Sequence, residues 1–136
     1  MPALIGALLA LGVALLGRIA GLDRDRAFYC VALLVIGSYY ILFAVIGGGP
    51  GDLRTELLIY LPFAALAVAG FRTSLWLVVA GLAGHGVLDF FYPDFVAGRG
   101  VPSYWPAFCM AYDIVAAACL SALIVWRSKA PASPAP

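Results

Sequence analysis

Charge is what this sequence has least of. Its 136 residues include eight Lys or Arg and seven Asp or Glu, 11% of the chain, where a soluble domain carries roughly 25%. No basic run is present to hold phosphates, and a net charge of +1 gives no footprint for nucleic acid. Histidine occurs once, at His85, so neither a two-His facial triad nor a bis-His haem can be built from one chain. The Glu-x-x-His pairs of di-iron bundles are missing. The three cysteines, Cys30, Cys109 and Cys119, lie in apolar segments and are odd in number, which favours free buried thiols over a disulfide framework.

What remains is apolar. With 65% hydrophobic residues in long uncharged runs, the bilayer is the solvent that suits the chain. One domain is expected: an all-α integral membrane bundle of five transmembrane helices over residues 1–127. Residues 128–136 follow as a disordered Pro/Ala-rich cytoplasmic tail. The runs are Pro2–Ala20, Ala27–Ile46, Leu53–Phe71, Leu75–Tyr92 and Ala107–Trp126. The first lacks the basic start and small-x-small end of a signal peptide, so it is expected to be retained. Ala10 and Ala14, and Gly17 and Gly21, are small residues four apart, which lets helices approach closely in lipid.

The breakers between runs are informative. Residues 47–52, GGGPGD, read as a loop, and without a following Gly-Lys-Ser/Thr it is no phosphate loop. Gly49–Asp52 spells the G-x-G-D of some intramembrane aspartyl proteases, but it falls in that loop and precedes any second aspartate. Pro62 is expected to kink the third run. Tyr92, Tyr104 and Trp105 suit a membrane–water interface. Arg18, Arg24, Arg26, Arg72, Arg127 and Lys129 fall on one side of the membrane, and only Arg54 and Arg99 on the other. The positive-inside rule then predicts an outside N-terminus and a cytoplasmic C-terminus.

Ionisable groups inside a membrane are costly, and therefore candidates for function. A rise of ~1.5 Å per residue brings several to one depth in the outer half of the bilayer: Tyr39 and Tyr40, Glu56 and Tyr60, His85 and Asp89, and Cys109 and Asp113. His85 and Asp89 share a helix face, as do Cys109 and Asp113, and Glu56 and Tyr60. These groups are expected to meet in a polar pocket. His85, Asp89 and Asp113 are the candidates for acid–base chemistry. Glu56, Tyr60, Tyr39, Tyr40, Tyr112, Cys109 and Trp105 are the candidates for binding.

The chemistry favoured is binding of, and proton transfer on, an apolar lipid or isoprenoid. The competing bland reading is polar glue between helices. No ligand spacing assigns a metal. Gly81, Gly84 and Gly86 leave room for a pigment or haem on His85, so an accessory subunit of a larger membrane complex, or a homo-oligomer, stands as the alternative.

The blocks GHGxxDFF, Val-Pro-x-x-Trp-Pro and Phe-Cys-x-x-Tyr-Asp, with the early Ser-Tyr-Tyr, resemble a family of small bacterial integral membrane proteins of unknown function. The resemblance covers nearly the whole chain apart from the tail. It implies residence in the bacterial inner membrane and assigns no activity. His85 and Asp89, four apart, are also similar to the His and acid of emopamil-binding-type sterol isomerases, which have Glu where this chain has Asp89.

Overall fold

The computed structural model describes residues 1–95 and 100–129, with side chains left aside at 93–95. Arg99 and the tail beyond Lys129 lie outside the described residues. Five helices follow in order: α1 (Pro2–Ala20), α2 (Ala27–Gly47), α3 (Pro50–Arg72), α4 (Trp76–Phe95) and α5 (Trp105–Lys129). The fold is an all-α bundle, and α1, α2, α3 and α5 are each long and apolar enough to cross a membrane. The apolar stretch of α4 among the described residues, Trp76–Tyr92, is shorter. Its large outward-facing side chains, such as Phe90 at 65% exposure, are what a lipid-facing helix surface needs.

Local chemistry sets the helix ends. Gly21 closes α1 at φ 75°, a left-handed conformation that glycine adopts without a Cβ penalty. The loop expected at 47–52 shrinks to two residues, because α2 keeps Gly47 and α3 begins at Pro50. Proline at the first helical position gives up an N–H that has no helical partner anyway. The Asp52 carboxylate turns back to accept the Gly49 N–H at 2.7 Å, which anchors that helix start. Pro62 leaves α3 continuous, although it supplies no N–H to the carbonyl one turn earlier.

Helix order in space differs from order in the chain. α1 packs on α5, α5 on α4, α4 on α3, and α3 on α2. The first contact is close: a Cβ on Gly6 would fall 2.1 Å from the Phe108 carbonyl oxygen. Gly6 and Ala10, one turn apart and both buried, are therefore the small pair that meets α5, with Gly17 further along against the Phe28 ring. Leu33, Ala67, Val78, Leu82, Ala117 and Leu120 form the aliphatic core.

One end of the bundle is tied by arginines. Arg26 donates to the Gly70 and Thr73 carbonyls at 3.0 and 2.8 Å, placing a cation on the unpaired end of α3. Buried Asp23 accepts from Arg18 at 3.3 Å, and Arg127 donates to its backbone carbonyl at 2.7 Å. The arginines at the ends of α1, α2 and α5 thus share one end of the bundle, as their alternation along the chain predicts.

Candidate functional site

In the half of the bundle away from those arginines, four helices contribute polar side chains to one buried layer. α4 supplies the central stripe. His85, Asp89 and Tyr92 are spaced four and three apart, so they stand on one helix face. His85 and Asp89 are each 1% exposed, Tyr92 and Glu56 2%, and Asp113 0%.

The strongest contact crosses from α4 to α5. His85 Nδ1 lies 2.7 Å from Asp113 Oδ2, within the range of a charge-assisted hydrogen bond. Asp89, on the same face of α4, is further from the imidazole, with Oδ2 at 3.4 Å from Nδ1. Its main partner is on α2: the Tyr40 hydroxyl donates to Asp89 Oδ1 at 2.5 Å. Beside this, the Tyr92 hydroxyl donates to Glu56 Oε1 at 2.6 Å, joining α4 to α3. Tyr40 and Tyr92 stack with ring centroids 4.1 Å apart. The edge-to-face Phe63 ring holds the imidazole from α3 at 5.0 Å. Among the described residues the cluster thus links α2, α3, α4 and α5, and α1 supplies none of these contacts.

No family model, curated protein or solved structure matches the chain. Any reading of the site must therefore rest on its geometry.

The residues singled out from sequence divide into two groups. Tyr40, Glu56, His85, Asp89 and Asp113 join the buried layer. Tyr39, Trp105, Cys109 and Tyr112 line a neighbouring cleft of about 760 Å³ between α1, α2 and α5. Tyr60 lies apart from both groups, its ring packed against Gly37 of α2. Tyr92, expected at the membrane interface, is instead buried in the layer. Its spacing from Asp89 and His85 was the available signal.

The cleft exists because the helix arc does not close between α2 and α1. Leu9 and Val13 form one wall, Val31 and Val35 the other, and Asp25, Tyr39, Trp105, Cys109 and Tyr112 are the polar-bearing residues of a mostly apolar lining. The indole Nε1 of Trp105 is buried without a hydrogen-bond partner. Tyr39 and Phe43 meet the edge of that indole at 5.1 and 5.0 Å between centroids. Cys109 lines the cleft and precedes Asp113 by one turn of α5.

The glycines near His85 serve packing. A Cβ on Gly81 would meet Leu33 at 2.5 Å, and one on Gly86 would meet Ile114 at 3.1 Å. The space that a flat macrocycle would need on those two faces is filled by side chains. Gly84 borders a shallow groove with Phe63 and Phe91. The three cysteines are free thiols, two of them buried.

Proposed function

We propose that this multi-pass membrane protein binds an uncharged amphiphile with a lipid-like or isoprenoid chain in the cleft between α1, α2 and α5. The observation that carries the reading is the cleft itself. It offers about 760 Å³ of mostly apolar space that opens between helices. Among the described residues no Lys or Arg lines it, and the one acid that does, Asp25, already accepts the Ala27 N–H at 2.8 Å. A phosphate head would find no counter-charge there. The Trp105 N–H and the Tyr39 and Tyr112 hydroxyls instead suit an oxygen acceptor such as a carbonyl or ether. An apolar pocket with a few convergent polar groups is the usual form of a small-molecule site.

In this reading Cys109, on the cleft wall, stands one turn before Asp113 on α5, and His85, Asp89 and Asp113 are the acid–base groups for chemistry on the occupant. The arginine-tied end faces the cytoplasm by the positive-inside rule. The polar layer then falls in the outer half of a bacterial inner membrane, the compartment that the family resemblance implies.

Native mass spectrometry from mild detergent tests the binding. A retained neutral lipid is expected on the unaltered protein, and Val35→Trp, which fills the cleft from an exposed position on its wall, should release it. The reading fails if the bound mass is unchanged in Val35→Trp, or if the unaltered protein flies with no small molecule attached.

A further inference from the structure

His85, Asp89 and Asp113 each present one ligand atom, and the three atoms lie within 4.8 Å of one another. All three residues are buried. Two oxygens of the group, Asp89 Oδ2 and Asp113 Oδ1, have no hydrogen-bond partner although no solvent reaches them. A carboxylate oxygen left bare in apolar surroundings is costly, and buried charges are normally paired or coordinate a metal. Among the described residues both acids are paired with His85 alone, and no Lys or Arg forms an ion pair with either. Two carboxylates and a neutral imidazole carry the charge that balances one divalent cation.

We infer that His85, Asp89 and Asp113 bind a zinc ion, with one nitrogen and two carboxylate oxygens as ligands. Zinc takes such ligands at about 2.0–2.2 Å in a tetrahedron, which sets them roughly 3.3–3.6 Å apart. His85 Nδ1 and Asp89 Oδ2 already stand 3.4 Å apart. The His85–Asp113 hydrogen bond, at 2.7 Å, opens by somewhat more than half an ångström as the ion replaces its proton.

The surroundings have the form of a supporting shell. The Tyr40 hydroxyl holds Asp89 Oδ1, which leaves Oδ2 for the ion, and Phe63 packs edge-on against the imidazole. Metal ligands are characteristically oriented by such outer partners. Calcium, which takes six to eight oxygens, and magnesium, which prefers six oxygens, do not match a three-residue set with a nitrogen, whereas zinc with three protein ligands takes its fourth from water. The inference leaves binding in the cleft untouched, but it gives His85, Asp89 and Asp113 the role of metal ligands in place of acid–base groups.

Untagged protein in mild detergent, stripped with a chelator, is titrated with Zn²⁺ and, separately, with Co²⁺ as a spectroscopic substitute. Metal is counted by mass spectrometry. One zinc per chain is expected, with intense visible absorption from Co²⁺ in a low-coordinate site. Asp89→Asn and Asp113→Asn should each abolish the stoichiometric site. Tyr40→Phe, which removes no ligand, should weaken zinc affinity about 10–100-fold while keeping one metal per chain. If the unaltered protein binds no stoichiometric zinc or gives no intense Co²⁺ absorption, the inference is overturned, whether or not the variants fold. It is equally overturned if folded Asp113→Asn binds zinc like the unaltered protein.

Discussion

Consider two mutant cycles that share one residue. His85→Leu is combined with Asp113→Asn in the first and with Asp89→Asn in the second, all in buffer containing a chelator. Asn keeps the shape of the carboxyl while removing its charge, so the two cycles differ only in which acid loses its partner. His85 and Asp113 meet at 2.7 Å with neither reached by solvent, and hydrogen bonds to charged groups contribute about 1.5–3 kcal/mol. The coupling energy of the first cycle should lie in that range. His85 and Asp89 stand at 3.4 Å, beyond the usual 2.7–3.2 Å of an N–H···O bond, and Asp89 keeps its bond from Tyr40. The second coupling should therefore fall below about 1 kcal/mol, nearer the few tenths typical of i,i+4 pairs within one helix. Each single variant should be destabilised, since removing one member of a buried pair strands the other. Reversible unfolding in mixed detergent micelles, followed by circular dichroism, supplies the stabilities. A larger coupling for Asp89 than for Asp113, or strict additivity in the first cycle, would refute the hydrogen-bond assignment on which the layer is built.

Two further outcomes are expected. Gly6→Ala places a methyl where the Phe108 carbonyl stands, so α1 and α5 must separate, at a cost of about 1–3 kcal/mol for overpacking; a stability unchanged in the same unfolding assay would mean that the two helices are not in close contact. Single cysteines at Arg24 and Arg72, introduced after the native cysteines are replaced, should be labelled by a membrane-impermeant maleimide only in inverted vesicles, and labelling in intact cells would reverse the orientation.

Much of the fold is legible in the sequence because lipid allows few alternatives. Five apolar runs predict five helices, and the bounds of α1 are those of its hydropathy. The loop at 47–52 is shorter than its three glycines suggest, since a proline and an acid three residues inside a helix start are also initiation signals. The polar layer is legible too. Counting rise from the helix ends brings Tyr40, Glu56, His85, Asp89 and Asp113 to one depth. The pairing is not, because depth says nothing of how each helix is rotated about its axis. A shared face suggests that Asp89 is the partner of His85, whereas packing brings Asp113 closer from another helix. The cleft is the least legible feature: it arises from α2 and α1 failing to meet, and no single segment records that.

The pairing of the first helix with the last also governs how the chain is made. At ~5–20 residues per second, the stretch between the end of α1 and the start of α5 takes about 4–17 s to synthesise. Throughout that interval α1 is in the membrane without its main neighbour. Its span carries no ionisable side chain before Arg18, so it can wait in lipid at little cost. α4 is different, because it brings His85 and Asp89 into the bilayer. It arrives after α2 and α3, when Tyr40 and Glu56 are already in place to receive Asp89 and Tyr92. Only the imidazole must wait for Asp113, and α5 delivers that acid within its first turns, before its own apolar length is complete. A chain cut short before α5 would leave α1 without its neighbour and His85 without its nearest acid, two exposed features by which membrane quality control could recognise it as unfinished.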